Sequence, residues 1–281
     1  MEIIETIPQM VDWTRQASRS LGLVPTMGAL HEGHLSLVEK ARSENASLAV
    51  TIFVNPTQFS ESEDLGSYPR DIESDLEVLR NARVDAVFVP KATEIYPHGY
   101  DTWVDVGALA GKLEGEWRSE HFRGVATVVT KLFGIIRPDV SYFGQKDGQQ
   151  SVVLKQIVRD LNLGVKVVIC PTIRDENGLA LSSRNSYLTA GQQVKAGVIF
   201  RALSAGHDTW EAGETRAEPI RASVKKVLRG SQLITSIDYI SVADSVTLDE
   251  VDVVSSESML SVAVRIGSIR LIDNVILAQS R

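Results

Sequence analysis

The chain has 281 residues, of which 43% are hydrophobic and 23% charged, and its formal net charge is −7. A chain of this length and hydrophobic fraction can form a sizeable core, so we expect one large domain or a large domain and a small one. Basic and acidic residues are well mixed, which argues against a nucleic-acid partner. The longest apolar runs are too short to span a bilayer, which argues against a membrane partner.

The first two-thirds of the chain alternate between short apolar runs and helical patterns. The apolar runs are continuous rather than alternating in polarity, which is typical of parallel strands covered on both faces. This alternation predicts an α/β fold with a doubly wound parallel sheet. The predicted strands are 21–25, 48–55, 85–90, 140–143 and 165–170, and the predicted helices between them are 35–43, 71–82, 125–136 and 149–161.

The pattern changes after Ile173. Residues 174–188 are polar and rich in turn formers, so they predict a linker or hinge loop. Helices followed by antiparallel strands indicate a separate, smaller α+β unit, and the predicted domains are therefore 1–173 and 174–281. The elements predicted for the second domain are helices at 190–211 and 216–229 and strands at 237–243, 259–266 and 268–276.

Two further features bear on the compartment and on cysteine chemistry. The first ten residues, MEIIETIPQM, include acidic residues where a secretory signal has a basic segment and then an apolar run, so we expect a cytoplasmic protein. Cys170 is the single cysteine, which excludes a disulfide framework and a cysteine-based zinc site. It lies in the apolar run VKVVIC, so we interpret it as a buried strand residue rather than a nucleophile.

The first polar segment at the end of a predicted strand is PTMGALHEGH, residues 25–34. Ligands of parallel α/β sheets bind at the carboxyl ends of strands and at helix N-termini. Gly28 permits a close backbone approach, and His31 and His34 share one face of a helix start, where imidazoles can donate to phosphate oxygens. Helix capping and metal binding are the alternatives. The zinc-protease pattern needs its two histidines four residues apart, and here they are three apart.

The second polar segment is YFGQKDGQQ, residues 142–150, between a predicted strand and a predicted helix. A glycine followed by Lys146 at such a turn suits a phosphate cradle, with the ammonium group as a point charge. Asp147 can accept hydrogen bonds from a ribose. The alternatives are that Asp147 caps the helix and that Lys146 is only solvated.

Two further segments support a nucleotide site when they are considered together with the first two. Ser182, Ser183 and Arg184 in the predicted hinge loop can close over a triphosphate, although an ordinary surface loop has the same composition. Gln58 in FVNPTQF can place a polar group beside an apolar wall, as small-molecule pockets do, and a plain turn is the alternative. In combination the segments predict a site for one ATP, arranged for attack at the α-phosphate. Their spacing is similar to that of the nucleotidyltransferase and class I aminoacyl-tRNA synthetase superfamily.

The sequence resembles the pantothenate synthetase family in several independent motifs. PTMGALHEGH, VNPTQF, YPRD, HFRGVATVV, YFGQKDGQQ and GLALSSRN occur in that family's order and approximate spacing, and IDYISV and RLIDN match more weakly. The resemblance implies ATP-dependent condensation of (R)-pantoate with β-alanine through a pantoyl-adenylate, with release of AMP and pyrophosphate. It also implies a Rossmann-like N-terminal domain, a smaller C-terminal lid, a homodimer and a requirement for Mg²⁺.

The resemblance further implies roles for individual residues. Gln58 and Gln150 would bind pantoate, with Gln58 also near β-alanine, and no residue is assigned as a metal ligand. His31 would be the proton donor, Gly144 and Asp147 would hold the ribose, and the backbone of Ile173 would border the adenine. The residues implied to contact ATP are Met27, Gly28, His31, His34, Gly144, Lys146, Asp147, Ile173, Ser182, Ser183 and Arg184, and those implied to act catalytically are His31, His34, Lys146 and Arg184.

Three positions depart from the family pattern. Ser119-Glu120 precede His121 where Pro-Gly is frequent, Gly148 replaces a bulkier residue, and Leu181 replaces a frequent Met. None removes a group assigned to phosphate or pantoate. Other functions remain open: a nucleotide adenylyltransferase, which would not need Gln58 and Gln150, a non-catalytic nucleotide-binding protein, and a purely structural protein.

Overall fold

The computed structural model describes residues 1–60 and 63–278 of the chain. The chain divides into two units: unit 1 comprises Met1–Gly144 and Val153–Cys170, and unit 2 comprises Gln145–Val152 and Pro171–Arg281. The domain boundary predicted at residue 173 stays a prediction, and residues 279–281 of the predicted second domain lie outside the described residues. Within the described part of the chain, no helix has the length and apolarity that crossing a membrane requires.

Unit 1 is built on a six-stranded sheet in which every pairing is parallel. Its strands are β1 (Glu2–Ile4), β2 (Leu21–Thr26), β3 (Ser47–Ile52), β4 (Ala86–Phe88), β5 (Val140–Gly144) and β6 (Lys166–Cys170). The order across the sheet is β1-β4-β3-β2-β5-β6. The chain therefore winds outwards in one direction from β2 and later in the other from β5, so the topological switch point lies between these two strands.

The helices of unit 1 cover the sheet because its strands are apolar on both faces. All six residues of β3 are buried, as are five of the six in β2. Leu37, Val38 and Ala41 of α2 belong to the core that covers these strands. The helices are α1 (Ile7–Gln16), α2 (Glu32–Glu44), α3 (Ile72–Asn81), α4 (Ala92–Ile95), α5 (Glu114–Trp117), α6 (His121–Ile136) and α7 (Gly148–Asp160), whose first turn belongs to unit 2.

Unit 2 packs helices on a three-stranded antiparallel sheet of order β7-β8-β9. Its elements are α8 (Ala190–Ala196), α9 (Val198–Glu211), α10 (Ala217–Arg229), β7 (Ser236–Asp244), β8 (Ser258–Ile266) and β9 (Ile269–Leu277). Gly206 lets α9 approach its neighbours closely, because a Cβ atom there would lie 2.6 Å from Val224 on α10 and 2.7 Å from Leu260 on β8. Together the two units confirm the predicted α/β fold with a smaller α+β part.

The structure differs from the sequence-based prediction in several places. β1, α1, α4 and α5 were not predicted. β1, α4 and α5 have only three or four residues each, and such short elements carry little periodicity. The predicted helix 190–211 is two helices that meet at Gly197, where a Cβ atom would lie 2.0 Å from the carbonyl oxygen of Asn177. The predicted linker 174–188 contains a 3₁₀ turn at Ser183–Tyr187 and a bridge between Arg174 and Ala180. It is thus an ordered segment of unit 2.

Candidate active site

The turn after β2 is held from behind by a buried carboxylate. Asp75 on α3 is 4% exposed and accepts hydrogen bonds from the N–H groups of Ala29 (2.9 Å) and Leu30 (2.8 Å). Burial raises the pKa of Asp75 despite these two bonds. Gly28 has φ of +81°, and a Cβ atom there would lie 2.9 Å from the Asp75 carboxylate. Both backbone conformation and space therefore require glycine at this position.

His31 and His34 lie at the start of α2, and the Nδ1 atom of each accepts a hydrogen bond from a backbone N–H. His31 Nδ1 accepts from the N–H of Gly33 at 3.2 Å, His34 Nδ1 accepts from the N–H of His31 at 3.4 Å, and the ring centroids are 4.1 Å apart. Because each Nδ1 is an acceptor, a neutral ring carries its hydrogen on Nε2. The pair therefore caps the helix and also presents N–H donors at a helix N-terminus, which favours anions.

Among the described residues, the histidine pair belongs to no cluster of potential metal ligands. The group of three such side chains with closely spaced ligand atoms in that part of the chain is His207, Asp208 and Glu211 on α9. The geometry of His31 and His34 fits hydrogen bonding to an anion, which needs donors rather than an ion-binding cage.

The turn after β3 carries Gln58 and fixes the orientation of its amide. Pro56–Gln58 form a 3₁₀ turn, and Asn55 before it is buried. The Asn55 amide donates to Gln58 Oε1 at 3.1 Å, while Gln58 Nε2 donates to the sulfur of Met27 at 3.1 Å. The structure thus brings Met27 and Gln58, two of the predicted site residues, into contact.

A chain of three polar side chains, which begins with His121 at the start of α6, is hydrogen-bonded to the same turn. His121 Nδ1 lies 2.9 Å from the carbonyl oxygen of Gln58, and His121 Nε2 lies 3.2 Å from the Arg118 guanidinium. Arg118 in turn pairs with Glu63 through two hydrogen bonds of 2.5 and 2.8 Å. Burial, assisted by the charge of Arg118, lowers the pKa of His121 to about 4.

We expect His121 to make the protein less stable at acidic pH. Its pKa falls from 6.5 to about 4 on folding, so the unfolded chain binds more protons between these values and stability decreases as the pH falls. From pH 7 to pH 5 this group should lower the free energy of unfolding by about 2 kcal/mol. Urea denaturation of wild type and of His121→Asn at both pH values measures the effect. An equal pH dependence in the two proteins would contradict it.

In unit 2, Lys146 and Asp147 lie in the turn that leads into α7. The Lys146 ammonium is 3.3 Å from the Asp147 carboxylate. Asn274 on β9 is buried, and its amide donates to the carbonyl oxygens of Gln145 (2.9 Å) and Lys146 (3.0 Å). The Gln145 amide donates back to Asn274 Oδ1 at 2.8 Å. Asn274 therefore fixes the backbone that carries Lys146.

The start of α7 also explains one departure from the family pattern. A Cβ atom on Gly148 would lie 2.5 Å from the sulfur of Met259 and 2.9 Å from the Asn274 amide. Side chains of β8 and β9 thus fill the space that a larger residue would need. Gln150, two residues further along, lies in the first turn of α7 and is partly buried.

Replacing Asn274 with alanine should loosen the Lys146 turn. The two carbonyl groups lose their donor, so we expect a loss of about 1–3 kcal/mol in the free energy of unfolding. Because the sequence predicts a phosphate-binding role for Lys146, its displacement should also slow ATP-dependent product formation by about tenfold. Asn274→Asp is the matched control, because it keeps the shape but directs an oxygen at two carbonyl groups, and it should be at least as harmful. Thermal denaturation and ATP-dependent product formation measure both effects. Two variants that match wild type would contradict the role.

The segment with Ser182, Ser183 and Arg184 is held by hydrogen bonds within its turn and by contacts upstream of it. Ser182 begins the 3₁₀ turn, and its hydroxyl accepts from the N–H of Arg184 at 3.3 Å. Upstream, the N–H of Leu181 donates to the carbonyl oxygen of Ile173 at 2.9 Å. Arg174 forms an ion pair with buried Asp273 of β9 at 2.5 and 2.9 Å. The predicted adenine and triphosphate residues of unit 2 therefore lie on one hydrogen-bonded segment.

The structure organises the predicted residues in small groups. In unit 1, the histidine pair follows β2, Met27 contacts Gln58, and Gly144 ends β5. In unit 2, Lys146 contacts Asp147, and Ile173 contacts the segment that leads to the Ser-Ser-Arg turn. The sequence did not predict the supporting residues Asp75, Arg118, His121 or Asn274. His121 and Asn274 lie inside the matched stretches HFRGVATVV and RLIDN, which was the only signal for them.

The parallel sheet, with polar turns at the carboxyl ends of its central strands, defines a doubly wound α/β ligand-binding protein. The sequence model of the pantoate-beta-alanine ligase family matches residues 2–276. The chain therefore belongs to the pantoate-beta-alanine ligase family, and it is an enzyme.

Similar proteins carry the same assignment. A pantothenate synthetase from Roseiflexus castenholzii is 50% identical over 277 residues, 99% of each chain. One from Chloroflexus aurantiacus is 52% identical over 278 residues, 99% of this chain and 98% of the other. The crystal structure of pantothenate synthetase from Thermus thermophilus has a TM-score of 0.94 at 42% identity and covers 99% of this chain and 100% of its own.

A Francisella tularensis pantoate-beta-alanine ligase, complexed with beta-gamma ATP and beta-alanine, is also similar. It has a TM-score of 0.80 at 34% identity, with coverage of 99% of this chain and 98% of its own. At this identity the similarity extends beyond the fold to the sequence. The ligands named for this relative, beta-gamma ATP and beta-alanine, correspond to two of the three substrates that the sequence resemblance implies.

Proposed function

We propose that this enzyme condenses (R)-pantoate with β-alanine, with ATP as the activating substrate and a pantoyl-adenylate as intermediate. The observation that carries the proposal is the pair of histidines at the start of α2, which present Nε2–H donors at the switch point of the sheet. Family membership supports the substrates, and the ATP and β-alanine complex of the F. tularensis relative supports two of them.

The first step needs donors rather than a base. Pantoate is already a carboxylate at neutral pH, so its oxygen can attack the α-phosphorus of ATP directly. A carboxyl–phosphate bond forms, the bond to the pyrophosphate oxygen breaks, and negative charge grows on the phosphate oxygens. Preorganised donors stabilise such charge. We assign this role to His31, His34, Lys146 and Arg184, in which His31, the proton donor that the resemblance implies, donates the hydrogen bond of its Nε2–H.

The remaining residues bind rather than react. In this scheme Met27 and Gly28 contact ATP, Gly144 and Asp147 hold the ribose, and the backbone of Ile173 borders the adenine. Ser182 and Ser183 bind the triphosphate together with Arg184. Gln58 and Gln150 bind pantoate, and Gln58 also lies near β-alanine.

The residues assigned to ATP are compatible with a Mg²⁺ ion that binds together with ATP. The groups assigned to the phosphates are N–H donors and hydroxyls, and Asp147, the one carboxylate in the set, is next to the Lys146 ammonium. Mg²⁺ usually binds substrate phosphates and keeps several waters, so it does not require a cage of carboxylates. When bound, it would supply Lewis-acid stabilisation of the phosphate charge.

The second step forms the amide. The neutral amine of β-alanine attacks the acyl carbon, the acyl–phosphate bond breaks, AMP leaves, and the amine proton goes to water. The anhydride would hydrolyse in free contact with water, so we expect a lid, predicted as residues 174–281. A homodimer and a cytoplasmic location also stay predictions.

AMP formation from ATP and Mg²⁺ tests the reaction, with pantoate and β-alanine each present or omitted. AMP that requires both, with pantothenate as co-product, supports the proposal. AMP formed with neither, or ATP bound without any turnover, would contradict it. Those results would favour a nucleotide adenylyltransferase or a nucleotide-binding protein instead.

A further inference from the structure

We propose that His121 and Arg118 are positioning residues for pantoate binding, which act by fixing the main chain of Gln58. This inference rests on the proposed role of Gln58 as a pantoate ligand. Neither side chain needs to touch a substrate. Their contacts are with the carbonyl oxygen of Gln58, from which Arg118 lies at 3.3 Å and His121 at 2.9 Å.

The partners of His121 determine its tautomer. A carbonyl oxygen only accepts, so Nδ1, which faces Gln58, must carry the hydrogen. A guanidinium only donates, so Nε2, which faces Arg118, must accept. The neutral Nδ1–H form thus satisfies both neighbours, and a second proton on Nε2 would face the charge of Arg118. The imidazole is therefore a fixed link with one donor and one acceptor.

Arg118 is itself fixed in place. Its guanidinium forms a two-pronged ion pair with Glu63, and the two side chains are only 16% and 19% exposed. Such bidentate pairs define direction as well as distance. The guanidinium thus holds both the imidazole and the Gln58 carbonyl, so a change at any member of the chain moves the others.

The opposite side of the turn is held equally closely. The Asn55 amide donates to the carbonyl oxygen of Gly124 on α6 at 3.2 Å as well as to the Gln58 side chain. A Cβ atom on Gly124 would lie 2.3 Å from the carbonyl oxygen of Thr57. The Pro56–Gln58 turn therefore packs directly against α6. His121, at the start of that helix, sets the position of Gln58.

This arrangement predicts an effect on pantoate rather than on ATP. The turn that carries the histidines has its own support, because Asp75 on α3 binds the N–H groups of Ala29 and Leu30. Loss of the His121 hydrogen bond should therefore displace the Gln58 amide and leave the helix start of α2 in place. The kinetic signature is a change in the KM for pantoate with little change in the KM for ATP.

Two amide variants of the same residue separate positioning from general stability. His121→Asn keeps a donor where Nδ1 lies, next to Gln58, and gives up the contact with Arg118. His121→Gln reaches the position of Nε2 and gives up the contact with Gln58. We expect His121→Gln to raise the KM for pantoate about tenfold, the cost of one lost hydrogen bond, and His121→Asn to stay within about threefold of wild type. The exposed His98, changed to Gln, is the control.

A double-variant comparison completes the test. In a Gln58→Ala background, His121→Gln should produce no further rise in the KM for pantoate, because the side chain that it positions is gone. If His121→Gln does not fold, Glu63→Gln, which keeps the shape but removes the charge that holds Arg118, should raise the same KM about threefold.

Three outcomes would overturn the inference: an unchanged KM for pantoate in folded His121→Gln, equal rises in the KM values for pantoate and ATP, or additive effects with Gln58→Ala. Failure of the proposed function itself would look different. Wild type would then form no AMP in response to pantoate, whatever residue stands at position 121.

Discussion

Replacement of His34 by alanine should slow formation of the pantoyl-adenylate by about 100-fold or more, the usual scale for one charge-stabilising donor. Nδ1 of His34 is occupied by the N–H of His31, so the expected contribution comes from Nε2–H at the helix N-terminus. Alanine removes this donor when charge develops on the phosphate oxygens. Single-turnover release of pyrophosphate from ATP and pantoate, without β-alanine, isolates the step.

Two further histidine variants serve as controls. His34→Gln can place an amide N–H near the position of Nε2, so it should recover part of the lost rate, whereas His98→Ala changes an exposed histidine and should leave the rate unaltered. Circular dichroism of His34→Ala checks that α2 still forms without the side-chain cap. A folded alanine variant with the wild-type rate would remove His34 from the mechanism.

The fold could be predicted from the sequence where a strand is buried on both of its faces. β3 has no exposed residue, so its sequence, SLAVTI, contains an uninterrupted apolar run that is typical of a central parallel strand. The break between α8 and α9 was not predicted. It lies at Gly197, which the carbonyl group of Asn177 approaches from twenty residues away in the sequence. A single-sequence pattern carries the local periodicity but not such contacts.

The same distinction applies to the candidate site. Motifs such as HEGH and GQKDG lie on single turns, so sequence spacing was enough to propose His31, His34, Lys146 and Asp147 as site residues, and their roles stay predictions. The supporting contacts join distant parts of the chain: Asp75 bonds Ala29 across 46 positions, and Asn274 bonds Lys146 across 128. An aspartate on an amphipathic helix and an asparagine in a strand have no local feature that reveals these partners.

Of these supports, Asp75 should be the most costly to remove. Alanine at this position would leave the N–H groups of Ala29 and Leu30 without their acceptor, and each unsatisfied buried group costs about 1–3 kcal/mol. We expect a loss of about 3–4 kcal/mol in the free energy of unfolding. The turn between β2 and α2 would also lose its fixed position, so adenylate formation should slow in the protein that remains folded.

Urea denaturation of Asp75→Ala measures this loss, and two aspartate variants on α3 make it interpretable. Asp75→Asn keeps one acceptor but points an N–H at a backbone N–H, so it should fall between wild type and alanine. Asp71 caps the same helix through the N–H of Ser74 at 3.1 Å and is exposed, so Asp71→Ala should cost only about 1 kcal/mol. Equal losses at the two positions would mean that Asp75 serves α3 and not the turn. A larger loss at Asp75, accompanied by slower adenylate formation, would show that the buried carboxylate supports the turn that leads to His31 and His34, although it is far from them in the sequence.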